Sequence, residues 1–390
     1  MITYDDILLA FEHCLKNKRN TYNAIDFTID CETKLLQLID DINNRKYDIG
    51  QSIAFVVKYP KYREVFAADF RDRVVHHLLV DNINDLLEKS FIENSFSCRV
   101  GKGTLFGVQQ VQKMMQDCVQ KYGNCFVLKL DIDSFFMSID RPLLKELLYN
   151  FIEENYFKTN KDDILYLIEK ILIHRPEKNC AIKCDKELWN FLPKSKSLFY
   201  VGEKYGLPIG NLTSQVFANF YLNFLDHYIT DDLNFEYYGR YVDDFIILCH
   251  DKNKLLKSIN LIEKFLKDKL HLKLHKKKRY IQHYTKGVSF IGNFIYINRL
   301  YIINRTKGQL FFKIKKFYNY PINKENIEKL NAIINSYLGF MRYVQSYKIR
   351  KSLFEDNLYL KKWNKYFKHD DNYTKIIIDK EAIKKDEKYL

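Results

Sequence analysis

The sequence has 390 residues and a formal net charge of +14, enough chain for a sizeable core in two or three domains and a surface suited to a polyanion such as nucleic acid. Its 8 cysteines contain no CxxC pair, which argues against a disulfide framework or zinc ribbon and for a reduced, cytoplasmic protein. No charged-then-apolar leader opens the chain and no apolar run approaches the roughly 20 residues of a membrane helix, so neither secretion nor membrane association is expected.

Residues 1–50 show helical apolar spacing, and SIAFVVKYPKYREVFAADF reads as strand, turn, strand. DRVVHHLLVDNINDLLEKS and VQQVQKMMQDCVQKYG have apolar residues three and four apart and predict helices on either side of the turn GKG. CFVLKLDID follows as a buried strand. Residues 141–200 mix helices with a loop carrying Cys180 and Cys184, which together with His174 lack a fourth zinc ligand. SQVFANFYLNFLDHYI is helical, and YYGRYVDDFIILC reads as a hairpin with Asp243 and Asp244 at its tip. An amphipathic helix, an edge strand in HLKLHKKKRY and a hairpin in VSFIGNFIYI come next. Residues 301–350 carry 10 Lys or Arg against 2 Glu on helical spacing, and 361–390 read as a charged, solvated end.

Three acids stand out: Asp131 at a strand end, and the pair Asp243 and Asp244. Such carboxylates, brought into one cleft, supply the hard oxygen ligands for two Mg²⁺ ions in nucleotidyl transfer. Each has a plainer reading as well, DID as helix-cap chemistry and DD as turn composition.

KLDIDSFFMSI, then GLPIGNLTSQVFANFYLNFLD, then YVDDFIIL resemble, in that order, three core motifs of the reverse transcriptases. DFRDRVVHH, NSFSCRVGKG, LKLHKKKRYIQ and GVSFIGNFI add to the resemblance, which spans about residues 45–300. It implies an α/β right-hand polymerase with mixed α/β fingers, an antiparallel-sheet palm and a helical thumb. The expected division is an N-terminal extension with the main fingers at 1–125, a palm with interspersed fingers elements at 126–300, a basic thumb at 301–360 and the charged tail at 361–390. It also implies copying of a template RNA from a DNA or RNA primer with deoxynucleoside triphosphates and two Mg²⁺ ions, Mn²⁺ being a substitute.

GLPIGNLTSQ and WNFLPKSKSLF most resemble the reverse transcriptases of diversity-generating retroelements. That subgroup makes error-prone cDNA beside a small basic oligomeric accessory protein. A bacterial defence-associated reverse transcriptase and a catalytically silent RNA-binding scaffold are the alternatives.

The resemblance assigns Asp131, Asp243 and Asp244 to the metals, with the Ile132 carbonyl completing a shell. Lys278 approaches the pyrophosphate as a proton donor, unless it belongs to a simple charge run with its neighbours. Phe136 takes the place of the steric gate against a 2′-hydroxyl, with a core aromatic as the other reading. Lys61, Arg63 and Arg99 are expected at the triphosphate or template, Lys61 being equally readable as a solvated surface lysine. Ile209, Gly210, Ser214 and Gln215 form the nucleotide-facing central motif, in which Ile209 stands where relatives carry Gln. Gly287, Phe290 and Gly292 shape the primer-grip hairpin.

Overall fold

The computed structural model describes residues 1–386 except Asn17 and Pro60. The helical spacing at the start becomes α1 (Tyr4–Leu15), α2 (Tyr22–Ile29) and α3 (Cys31–Asn43). Thr3 and Asp6 close a capping box that satisfies donors at the start of α1. Period-two burial gives the antiparallel hairpin of β1 (Ser52–Val57) and β2 (Arg63–Ala67), in which Glu64 and Phe66 face inward while Arg63 stays exposed.

After the hairpin come α4 (Phe70–Ser90), N-capped by the Asp69 carboxylate, α5 (Thr104–Tyr122), β3 (Phe126–Asp131), a single turn α6 (Phe135–Ser138), α7 (Arg141–Asn155) and α8 (Lys161–Ile173). Strand β4 (Cys180–Ile182) is followed by short 3₁₀ turns up to Tyr200, then α9 (Leu212–His227), β5 (Tyr237–Tyr241), β6 (Asp244–Cys249) and α10 (Lys252–Leu270). The chain continues through β7 (Tyr280–His283), β8 (Val288–Phe290), β9 (Asn293–Tyr296), β10 (Arg299–Ile302), α11 (Asn304–Phe317), α12 (Lys324–Met341), α13 (Tyr347–Glu355), β11 (Phe367–His369), β12 (Ile376–Ile378) and α14 (Lys380–Asp386).

Packing divides the chain into two units that do not follow chain order. The first comprises Met1–Gly101, Leu128–Ile247 and Lys252–Tyr280; the second comprises Lys102–Val127, Leu248–Asp251 and the chain from Ile281 onward. The expected fingers range of 1–125 and palm range of 126–300 therefore each contribute to both units, because α5 and β8 to β10 belong to the second.

In the first unit α4 packs on α1 and α9. Helix α9 is buried on nearly every face, from Thr213 through Asp226, which is why its sequence is apolar all round instead of striped. The small sheet has order β2-β1-β4, with β4 parallel to β1. In the main sheet the strands of this unit lie in the order β5-β6-β3.

In the second unit β10, β9 and β8 form an antiparallel sheet. The Gln112 and Gln116 amides of α5 donate to the carbonyls of Tyr296 (2.9 Å) and Ile297 (2.7 Å). Helix α12 buries Ile327, Leu330, Ile334, Leu338 and Met341 at three- and four-residue spacing.

Two segments differ from the sequence expectation. The region from 361, read as a solvated tail, is folded into the second unit: Trp363 is fully buried, with its ring edge against Phe317 at 6.1 Å, and Asn335 of α12 exchanges two hydrogen bonds with the Ile376 backbone of β12 (2.8 and 2.9 Å). Its scattered apolar residues, Trp363, Tyr366, Phe367 and Ile376, outweigh the lysines between them. The edge strand expected in HLKLHKKKRY is confined to a bridge of Leu274 with Ile132, and regular strand resumes only at Tyr280. The intervening lysines enter a turn in which the Lys278 N–H donates to the His275 carbonyl at 3.1 Å. Among the described residues no helix is long and apolar enough to cross a membrane.

Candidate active site

Asp131 ends β3 and is 7% exposed. One residue on, the Ile132 N–H donates to the Asp243 carbonyl at 3.2 Å, so the strand end and the tip of the β5–β6 hairpin are joined through backbone. The hairpin turns on two residues, Val242 and Asp243, between strands ending at Tyr241 and starting at Asp244. Val242 has φ of 56°, a conformation β-branched residues rarely adopt, whereas Asp243 is not among the residues of positive φ. That pattern matches a type II′ turn, which normally takes glycine at its first position. The strained turn is braced: the Val242 N–H donates to Ser97 Oγ at 3.0 Å, and its carbonyl accepts from Arg240 Nη1 at 3.1 Å.

From the other side, the backbone of 131–133 pairs with 273–275. His275 N–H donates to the Asp131 carbonyl (2.8 Å) and Asp133 N–H to the Lys273 carbonyl (2.8 Å). The turn that follows brings Lys278 Nζ to 2.8 and 2.7 Å from the two Asp131 carboxylate oxygens. Lys129, two residues before Asp131 on β3, lies with its ammonium 3.3 Å from Asp244.

The charges are concentrated and partly buried. Burial, followed by the charge of Asp131, pushes Asp243 up to about 6; Asp244 adds to the rise, while a backbone hydrogen bond and Lys278 oppose it. Asp244 is also raised, chiefly by burial, with Lys129 as the main opposing charge. Burial would lower the pKa of Lys278, but its hydrogen bonds to Asp131 and the combined charge of the three acids outweigh that and raise it. Like-charged carboxylates that hold one another in a poorly solvated corner are stabilised by cations.

Among the described residues no three His, Cys, Asp or Glu side chains converge as a ready metal cage. Instead two ammonium groups supply the positive charge, at Asp131 and Asp244. The all-oxygen donor set of Asp131, Asp243 and Asp244 nevertheless fits Mg²⁺ or Mn²⁺, which prefer carboxylate and carbonyl oxygen.

The remaining expected residues fall into groups. Phe136 and Ile209 pack on the same buried cluster of Ala54, Phe66, Met137 and Leu198. The Phe66 N–H donates to the Ile209 carbonyl at 2.8 Å, tying β2 to the central motif. Gly210 follows at φ of 128°, where an added Cβ would lie 2.7 Å from the Phe66 carbonyl oxygen, so the two backbones meet where no side chain fits. Ser214 is buried in the first turn of α9, and Gln215 is exposed.

Lys61 and Arg63 are exposed at the start of β2, and the positive charge of Arg63 is felt at Tyr241, the first residue of YVDD. Arg99 points elsewhere: its guanidinium donates to Glu88 (2.8 Å) and to the carbonyls of Ile92 (2.7 Å) and Ser95 (3.0 Å), bracing the segment before it. Gly287, Phe290 and Gly292 lie in the second unit. Phe290 pairs with Asn293 across a turn in which Ile291 and Gly292 both have positive φ, as a two-residue type I′ hairpin requires. A Cβ on Gly287 would meet the Phe294 ring at 2.6 Å.

Sequence reasoning missed the support beneath the hairpin. Arg240 and Asp226 are both fully buried, and Asp226 accepts from Arg240 Nε (2.7 Å), Arg240 Nη2 (2.6 Å) and the Tyr238 hydroxyl (2.6 Å). Arg240 also donates to Ser95 Oγ (3.1 Å) and Asn219 Oδ1 (3.2 Å) besides the Val242 carbonyl. A charged residue inside the aromatic strand YYGRY, and an acid on the apolar helix FLDH, were the available signals.

The family described as "Reverse transcriptase (RNA-dependent DNA polymerase)" matches residues 56–295. The "Putative COX1/OXI3 intron 2 protein" of Saccharomyces cerevisiae is 24% identical over 370 residues, covering 83% of this chain and 42% of the relative, so the chain spans less than half the length of that curated protein. Among solved structures, apo telomerase from Candida tropicalis, truncated from its C-terminal domain, gives a TM-score of 0.49 at 13% identity over 65% of this chain and 55% of that one. Telomerase from Candida albicans in complex with a TWJ fragment of telomeric RNA gives 0.47 at 13% identity over 81% and 60%. With its family match running from β1 through β9 and enclosing the site where Asp131, Asp243 and Lys278 meet, the chain belongs to the reverse transcriptase family.

Proposed function

We propose that this chain is an RNA-directed DNA polymerase that extends a DNA or RNA primer with deoxynucleoside triphosphates. The observation that carries the reading is the junction of β3 with the β5–β6 turn, which sets Asp131 beside Asp243 and brings Lys278 onto Asp131. Asp131, Asp243 and Asp244, with the Ile132 carbonyl, would hold two Mg²⁺ ions, which supply activation of the primer 3′-hydroxyl and neutralisation of the leaving pyrophosphate.

In this reading the primer 3′-oxygen forms the new bond to the α-phosphorus as the bond to the β-phosphate oxygen breaks. Lys278, whose proton is held more tightly than that of an ordinary lysine, donates to the departing pyrophosphate once the triphosphate draws it from Asp131. Lys61 and Arg63 bind triphosphate oxygens. Phe136, packed on the Phe66 cluster, stands against the sugar 2′ position, and Gly210 lets nucleic acid and the β2 backbone approach closely. Ser214 and Gln215 orient the start of α9. Gly287, Phe290 and Gly292 shape a hairpin for the primer end.

Purified Asp243→Asn keeps shape and removes charge, and should lose at least about 100-fold in Mg²⁺-dependent extension on an RNA template. Wild-type rates from that variant would refute the assignment.

The finer reading is an error-prone enzyme of a diversity-generating retroelement, acting with a small basic oligomeric accessory protein. Its support is GLPIGNLTSQ together with the half-buried Ile209, which packs on an apolar cluster where relatives carry an amide. Ile209→Gln should change misincorporation opposite template bases, and identical error spectra would count against the reading.

A further inference from the structure

Strand β3 carries a second charged residue on the face that bears Asp131. Side chains two apart on a strand share a face, so Lys129 stands beside Asp131, while Leu128 and Leu130, 1% and 0% exposed, are turned into the core. Strand β6, the neighbour of β3, starts at Asp244, and the Lys129 ammonium crosses to within 3.3 Å of that carboxylate. Both side chains are mostly buried, 23% and 34% exposed.

The two ammonium groups at the carboxylates differ in how they are held. Lys278 follows a turn, is 46% exposed, and reaches Asp131 from beyond the end of β3. Lys129 belongs to a regular strand between two buried leucines, so its backbone cannot move aside without breaking β3. Among the described residues no cation lies within ion-pair distance of Asp243. One lysine is therefore releasable, one is resident, and Asp243 is left to an ion from solution. Carboxylates crowded in a poorly solvated corner attract a divalent cation more strongly the less their charge is already balanced. An uncharged residue at 129 would leave Asp244 uncompensated beside Asp243.

We propose that Lys129 is a positioning residue that acts through Asp244: as the resident counter-ion of that carboxylate it holds Asp244 in place and limits how tightly the three acids grip divalent cations. With Asp244 balanced, Asp131 and Asp243 carry the uncompensated charge once Lys278 is drawn away. The acids then release their ions between turnovers, a consequence that rests on the polymerase reading; the effect on ion affinity does not.

The test uses the full chain without nucleotide or primer and Mn²⁺ as the probe, its free concentration followed by electron paramagnetic resonance. Lys129→Met and Lys129→Gln remove the charge at similar length, Lys129→Arg keeps it, and thermal unfolding checks that each variant is folded. The two uncharged variants should bind Mn²⁺ about 10-fold more tightly than wild type, with Lys129→Arg close to wild type. Adding Asp131→Asn to Lys129→Met should abolish the gain, which locates the ion at the carboxylates. In primer extension on an RNA template, the Mg²⁺ concentration that gives half the maximal rate should fall by a similar factor in Lys129→Met. Equal Mn²⁺ affinities in wild type and the uncharged variants, or weaker binding by them, would overturn the proposal; lowered thermal stability with unchanged affinity would make Lys129 a structural partner only. A gain that survives Asp131→Asn would overturn it as well. Tighter Mn²⁺ binding by Lys129→Met in a chain whose wild type extends no primer would defeat the polymerase reading and leave this one standing.

Discussion

Replacing Arg240 by Lys keeps a positive charge beside Asp226 but removes the planar fork that reaches the turn carrying Asp243. The conformation of Val242, at φ of 56°, costs on the order of 1–3 kcal/mol. Against it stand the bond from the Val242 N–H to Ser97, worth about 1 kcal/mol, and the guanidinium bond to its carbonyl, worth about 1.5–3 kcal/mol. Without the second bond the strain and the remaining restraint are nearly equal, and the turn carrying Asp243 is free to relax. Arg240→Lys should therefore lower kcat for primer extension about 10- to 100-fold, with the KM for deoxynucleotide within about 3-fold of wild type.

Stability falls too, but by less than the loss of about 3–5 kcal/mol that outright removal of one partner of this fully buried ion pair would bring, because Lys keeps the charge but not the paired hydrogen bonds to Asp226. The two effects separate in a paired variant. Arg240→Met with Asp226→Leu replaces the ions by apolar groups and should recover stability in urea unfolding to within about 2 kcal/mol of wild type. Its kcat should stay low, because no donor reaches the Val242 carbonyl. Recovery of kcat along with stability would show that Arg240 only fills the core, and the reasoning would fail.

Gly210→Ala would place a Cβ 2.7 Å from the Phe66 carbonyl oxygen at a φ of 128°, so it should destabilise by about 2 kcal/mol or more and reduce extension; an unchanged melting temperature would contradict the close approach. Buried His76, lowered to about 3 first by burial and then by the charges of His77, His174 and Arg73, faces Thr213 Oγ1 at 2.9 Å. A depressed folded pKa gives stability that is present above the unfolded value near 6.5 and lost as pH falls toward 3. His76→Asn cannot charge, so between about pH 6 and pH 4 wild type should lose about 2 kcal/mol more than the variant; parallel pH–stability curves would reject the assignment.

Local patterns determined much of this protein directly. Three- and four-residue apolar spacing carried the helices of the first 50 residues, α4, α5 and α10, and the two apolar runs around Asp243 carried the β5–β6 hairpin, because both signals depend only on neighbours along the chain. The order of KLDID, GLPIGNLTSQ and YVDD was likewise legible as sequence.

Tertiary structure alone decided what each polar residue does. Arg240 gains its meaning from Asp226, Asn219 and Ser95, the last lying 145 positions away, and Glu64 from Trp189 and Ser197 more than 120 positions on. Arg99 resembled a phosphate ligand in sequence, yet it is spent on Glu88 and two carbonyls. The region from 361 looked solvated because its buried rings follow no period, and only the surfaces of α11 and α12 show where they go. Periodicity reports the face an element buries; the partner of a buried charge is set by desolvation, which requires whichever distant groups can satisfy it.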